Sequence, residues 1–173
     1  PITGPPMTQA MTTTQALAYF DDLEPVTVEA LLGEWEGTEI ATGHPMEGML
    51  AATSWYGKTF HSADAVDPLV HLNAGGKRFC VNPALMPIQL GLRIPYVRQV
   101  TPVVFPLLRP FLATRKPKAR LRMMMYRGKL GAAMIYDAKP IIDIFRKIDD
   151  KTVLGLMDQR GDDVPYFFKL SRV

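Results

Sequence analysis

Residues 119–172 read ARLRMMMYRGKLGAAMIYDAKPIIDIFRKIDDKTVLGLMDQRGDDVPYFFKLSR. Five short runs stand out in this stretch: Ala119–Tyr126, Lys129–Asp137, Pro140–Lys147, Thr152–Asp158 and Pro165–Arg172. Each is rich in β-forming residues, methionine and aromatics. Between them lie Arg-Gly, Asp-Ala-Lys, Asp-Asp-Lys and Gln-Arg-Gly-Asp-Asp, which are turn chemistry. Short β-rich runs joined by such close turns spell a β-meander. In Ala119-Arg120-Leu121-Arg122-Met123 the arginines alternate with apolar residues, so one face is dry and the other wet.

Outward from the meander the pattern changes. Thr13–Leu23 reads as a helix. Thr27 is placed to cap a second, with Ala30-Leu31-Leu32-Gly33 as its apolar turn and stop. Glu34–Thr42 reads as a strand and Pro45–Ala52 as a short helix. Lys58–Ser62, Leu69–Asn73 and Arg78–Asn82 are further strands, the last two joined by a turn at Gly75-Gly76. Pro83–Pro117 is different. Ala84–Leu92 has helical character, but Pro102, Pro106 and Pro110 argue against one regular helix over the apolar run Val103–Leu112. This segment is either a flap over an opening or a packed insertion.

A chain of 173 residues is long enough for one domain with a real core. The domain is taken as 7–173, made of 11–82, the insertion 83–117 and the meander 118–173. Pro1–Pro6, ahead of the first methionine, fall outside it. No charged-then-apolar leader follows Met7, no apolar run reaches a membrane span, and Cys80 is the only cysteine. A cytoplasmic, reducing location is the expectation. Charge is unevenly spread. Between Asp67 and Asp137 there are Lys77, Arg78, Arg93, Arg98, Arg109, Arg115, Lys116, Lys118, Arg120, Arg122, Arg127 and Lys129, and no carboxylate. Either the middle of the chain meets an anionic partner or the fold neutralises it with acids from the two ends. The aromatics do not interleave with the basic residues as a single-strand nucleic-acid platform would require, so nucleic acid is not an expected partner.

The stretch Leu31-Leu32-Gly33-Glu34-Trp35-Glu36-Gly37-Thr38 carries a Gly-x-Trp-x-Gly signature, and with Gly57–Val70 it resembles the GXWXG-domain proteins. Tyr126-Arg127-Gly128, Tyr136-Asp137, Pro140–Arg146 and Gly155–Asp158 resemble the domain of unknown function usually found behind it. Gly33–Gly37 followed by His44-Pro45 is also similar to the opening strand of nitrobindins and other calycin-like barrels, in which a Gly-x-Trp plugs the closed end. The fold so implied is mainly β: an antiparallel calycin- or lipocalin-like β-barrel with N-terminal helices and a helical, proline-rich insertion. Nitrobindins bind haem through a histidine near the C-terminus. The last histidine here is His71, so that ligand has no counterpart.

The expected function is binding of a small lipophilic, anionic ligand in the barrel. Met123, Met125, Leu130, Met134 and Phe145 are candidates for an adaptable lining, with Trp35 at the base. An arginine of the basic stretch would take the acidic head group. His61, beside Asp64 and Asp67, is the candidate base or haem ligand, expected to point into the cavity or its rim. Tyr126, Arg127, Asp143 and Arg146 form a second constellation. A carboxylate in the apolar run 140–145 is expensive to bury, so an arginine is expected to neutralise Asp143, either to hold a ligand or to fix strand register. A cofactor-independent isomerase, cyclase or hydratase using His61, Tyr126 and Asp143 is the alternative. No resident cofactor is expected, haem on His61 being the one exception considered. His44, His71 and Cys80 make no zinc pattern. The partners expected are the ligand itself and a transient membrane-surface contact through the insertion.

Overall fold

The computed structural model describes residues 10–86 and 96–173. Helix α1 spans Thr13–Asp22. Its cap is reciprocal: the Thr12 hydroxyl accepts from the Gln15 amide, and the Gln15 side chain accepts from the Thr12 amide. Strand β1 (Glu24–Pro25) leads to α2 (Val28–Leu31), where Thr27 takes the capping role expected of it. Then come β2 (Gly33–Glu39), α3 (Met49–Ala52), β3 (Trp55–Ser62), β4 (Ala65–Leu72) and β5 (Arg78–Val81). A 3-10 turn at Pro83–Leu85 precedes α4 (Val97–Leu112) and the two-residue β6 (Ala113–Thr114). The meander follows as β7 (Ala119–Tyr126), β8 (Lys129–Tyr136), β9 (Ile141–Asp149), β10 (Thr152–Gln159) and β11 (Tyr166–Arg172).

Eight of these strands close a ring. Reading around it, β3-β2-β11-β10-β9-β8-β7-β4 are antiparallel neighbours, and the β3–β4 hairpin joins the two ends. The seam between β4 and β7 is thin, with Val66 opposite Ala119 as its register pair. Strands β5 and β6 extend the sheet beside β4, and β1 lies along β9.

The barrel is filled from inside by a cluster that includes Trp35, Phe60, Leu121, Met134, Phe145 and Leu170. A second cluster lies outside the wall, where Ala16 and Phe20 of α1 pack on Ile144, Leu154, Leu156 and Phe167. Both faces of β9–β11 are thus covered at that point. This explains why residues 140–145 read as an apolar run rather than an alternating one.

Helix α4 overturns the expectation from its prolines. Pro102, Pro106 and Pro110 all lie inside one sixteen-residue helix. Four-residue spacing places them in a single row along the helix, and all three are exposed. The carbonyls that lose an amide partner four residues earlier therefore fall on the same side. Phe105, to one side of that row, anchors the helix against Leu69 and Val81. Of the helix expected at Ala84–Leu92, only the 3-10 turn falls within the described residues; 87–95, with Arg93, lie outside them.

The basic stretch is partly neutralised by acids from the chain ends. Arg78 pairs with Glu34, Arg120 with Asp137, Arg122 with Asp64, and Arg127 with Asp21. Lys77, Arg115 and Lys116 are exposed and make no ion pair among the described residues.

Candidate functional site

The register of the strands divides the barrel interior into two ends. At one, Trp35 is plugged in by its indole Nε1–H, which donates to the Leu31 carbonyl at 2.6 Å, with the Arg172 guanidinium 4.3 Å from the ring centre. Phe60 and Phe145 meet edge to face at 5.7 Å. That end is solid.

At the other end a cavity remains. The space open to the centre of a water-sized guest is about 80 Å³, enclosed by Met46, Met49, Leu50, Trp55, Leu69, Met86, Ile141, Met157 and Phe168 among others. Two glycines shape its wall. A Cβ on Gly37 would fall 2.1 Å from the Trp55 ring, and one on Gly155 would fall 2.3 Å from the Phe168 ring. Without side chains there, Trp55 and Phe168 lie flat enough on the sheet to meet edge to face at 5.9 Å. The second glycine of the Gly-x-Trp-x-Gly signature thus makes room for a tryptophan on the neighbouring strand.

The polar part of the cavity comes from three strands. Lys58 on β3 and Asp143 on β9 are 3% and 1% exposed, and their Nζ and Oδ2 atoms are 2.9 Å apart. The ammonium donates to the Pro68 carbonyl at 3.0 Å and to the Tyr136 hydroxyl at 3.3 Å. It also sits 5.0 Å from the centre of the Phe168 ring. Lys58 is the counter-ion of Asp143, and beyond that ion pair the Asp143 oxygens have no hydrogen-bond partner among the described residues. Burial pushes the Asp143 carboxyl above its ordinary range, and Lys58 opposes that shift. Burial likewise drives the Tyr136 phenol well up, helped by the charge of Asp143.

His71 on β4 completes the group. It is fully buried and stacks obliquely with Phe79 and Phe105, at 5.9 and 5.1 Å. Its Nδ1 lies 2.9 Å from the Thr53 carbonyl oxygen, and its Nε2 has no partner among the described residues. Burial lowers its pKa to about 4, so the ring is neutral near pH 7. The rim is set by Glu39, whose carboxylate accepts from the amides of Gly48 and Leu50 and from the Tyr166 hydroxyl. This fixes α3, and with it Met49 and Leu50, over the opening. A second space of about 400 Å³ under α4 shares Met49, Thr53 and Met86 with the cavity.

Several expected site residues lie elsewhere. His61 has a side chain 51% exposed and bonded to Asp67 at 2.8 Å, so it points outward rather than into the cavity or its rim. It falls on the part of β3 that runs past the solid end, next to the β3–β4 turn. Met123 and Met125 are exposed, as is Leu130, because the β7–β8 hairpin extends beyond the barrel wall. Tyr126 donates to Asp158 at 3.1 Å, with a pKa pushed up to about 12 mainly by burial. Arg127 sits in the β7–β8 turn and grips Asp21 with two bonds of 2.7 and 2.6 Å. Met134, Phe145 and Trp35 are inside the barrel but belong to its packed core. Asp143 does reach the cavity, yet its counter-ion is Lys58 rather than an arginine. Arg146 is buried on the other face of β9, over the Phe20 ring at 4.8 Å, and donates to the Tyr126 carbonyl. An interval of three residues along a strand puts the two on opposite faces. Among the described residues no arginine of the basic stretch lines the cavity.

Lys58, His71 and Tyr136 were not singled out from sequence as site residues. The available signal was a histidine inside the apolar run Leu69-Val70-His71-Leu72. Among the described residues no group of histidine, cysteine and carboxylate side chains is placed to hold a metal ion, and no helix is long and apolar enough to cross a membrane.

Comparison with known proteins gives matches at the level of family and fold. Residues 18–76 match the family described as GXWXG protein, and residues 117–172 match the domain of unknown function DUF4334. A crystal structure of a protein from Thermomonospora curvata shares the fold, with a TM-score of 0.72 and 30% identity over 95% of this chain and 89% of that one. No curated protein matches.

Proposed function

Since the chain belongs to the GXWXG family and carries the DUF4334 domain behind it, we propose that it binds a small lipophilic molecule in the open end of its barrel. One observation carries this reading. The interior is packed around Trp35 and Phe145 but open around Lys58, His71 and Asp143, where buried polar atoms lack partners among the described residues. Cavities with apolar walls and a few convergent polar groups are the usual form of a small-molecule site. The methionines at its mouth, Met46, Met49, Met86 and Met157, suit a guest of irregular shape. Native mass spectrometry of freshly purified protein tests the proposal. A lipophilic adduct is expected in the wild type and not in Met157→Trp, whose larger side chain would fill the cavity. A bare wild-type mass that stays bare after incubation with lipophiles would contradict it.

The insertion supplies a delivery surface in this reading. Helix α4 exposes Val103, Leu107 and Phe111 in one row, the last two at 70% and 75%. Arg115 and Lys116 follow directly. An apolar row ending in free cations suits contact with an anionic bilayer. Co-sedimentation with phosphatidylserine vesicles, lost in Leu107→Asp and absent with neutral vesicles, is the expected result.

Acid–base chemistry on the guest is a second reading, favoured by the neutral imidazole of His71 inside the cavity. In that case His71 takes the part first given to His61. Solvent deuterium appearing in guest recovered from heavy water would distinguish turnover from storage.

A further inference from the structure

The unpaired polar atoms of the cavity define the head group of its guest, an inference that rests on the binding function proposed above. The Thr53 carbonyl can only accept, so the His71 nitrogen facing it, Nδ1, must carry the proton. Nε2 is therefore a bare lone pair, and it is buried without a donor among the described residues. Trp55 presents the complementary group. Its Nε1–H is a buried donor with no acceptor among the described residues. The two residues are direct cross-strand partners on β3 and β4, and both line the same cavity. Cross-strand partners have neighbouring Cβ atoms, so one small group can address both.

The third feature is charge. Lys58 already faces a carboxylate, Asp143, whose oxygens have no further donor among the described residues. An ionised acid entering here would bring a second carboxylate beside the first. It would also set oxygen lone pairs against the lone pair of Nε2, because a carboxylate has no proton to give. A saturated hydrocarbon would leave all of these atoms unpaired, which is unfavourable in a dry site. We propose that the natural guest is a lipophilic alcohol or phenol, whose hydroxyl donates to His71 Nε2 and accepts from Trp55 Nε1–H. The expectation of an anionic head group gives way to a neutral, proton-donating one. The neutral state of His71 near pH 7 agrees with this arrangement. The hydrocarbon part would lie among the methionines and reach towards the space under α4.

The test compares three probes of equal chain length on the intact protein near pH 7: octanol, octanoate and octane, followed by tryptophan fluorescence and calorimetry. Octanol is expected to bind at least tenfold more tightly than either of the others. His71→Phe should erase the preference for octanol over octane while leaving octane binding in place. Should that variant fail to fold, the nitrogen-15 resonance of wild-type His71 Nε2 gives the same information. It should move upfield as the nitrogen accepts a hydrogen bond from octanol, and stay put with octane. Equal binding of octanol and octane, or tightest binding of octanoate, would overturn the head-group assignment while leaving a binding cavity. Failure of all three probes to bind would overturn both.

Discussion

Phe145 and Asp143 stand two residues apart on β9 and both point into the barrel, yet they meet opposite surroundings. Phe145 is enclosed by rings, edge to face with Phe60 and Phe168. Asp143 meets a lysine and a cavity. The same contrast runs round the ring. On β3, Phe60 belongs to the solid end and Lys58 to the open one. On β8, Met134 packs in the core and Tyr136 faces the ammonium. One end of the barrel is organised for stability by apolar contact. The other retains buried charge, which contributes little or nothing to stability over an apolar filling.

Substitutions sharpen this division. At the solid end, Phe145→Ala removes a fully buried ring and should cost about 3–5 kcal/mol, read from denaturant midpoints. Asp143→Ala should cost about as much, but for another reason: it strands the Lys58 ammonium away from water. The combined Lys58→Met, Asp143→Leu protein separates the causes. It should recover wild-type stability or exceed it, because an apolar pair replaces an ionic one. A double variant as unstable as the single one would mean that the open end is held together by its charges, and the division would fail.

His71 gives a pH-dependent version of the same contrast. Its folded pKa, about 4, lies below the ordinary 6.5. Protonation therefore favours the unfolded chain. The contribution of the neutral ring is full above pH 6.5 and is lost as pH falls towards 4. The loss should be on the order of 3 kcal/mol, from the size of that shift. Chemical denaturation at a series of pH values would show it as a slope in the wild type. Subtracting the curve for His71→Phe removes the other titrating groups nearby, Asp143 among them, and a difference that stays flat from pH 6.5 to 4 would contradict the burial of the ring.

The smallest effect is expected at His61. Its bond to Asp67 is exposed, and such pairs are worth less than about 1 kcal/mol. His61→Ala should leave both stability and ligand uptake near wild type. Loss of ligand uptake in this variant would return the site to the outer face of β3.

How far these regions could be read from sequence follows the same line. The five meander strands were legible to within a residue or two, because turn chemistry and alternation are local. Trp35 was legible as a plug because its flanking glycines advertise close packing. Asp143 stood out as a carboxylate in an apolar run. Its partner did not, because Lys58 reaches it only when β3 and β9 close the ring, and nothing local marks that lysine. His71 did carry a mark, its apolar neighbours, but His61 beside two aspartates looked the better base. Met123 and Met125 were misplaced for a related reason. Alternation gives the face of a strand but not how far the strand outruns the barrel. In α4 the prolines were read one by one, whereas their four-residue spacing is what lets the helix carry them.

Methionine methyl groups report on the cavity and on the exposed hairpin at once, and they offer the most direct test of the open end as a binding site. In protein carrying carbon-13 methyl-labelled methionine, octanol should shift the resonances of Met46, Met49, Met86 and Met157, which line the cavity. Those of Met123 and Met125, exposed on the β7–β8 hairpin, should not move. Shifts confined to Met123 and Met125, or no shift at any methionine, would show that the barrel does not take its guest where its walls leave room.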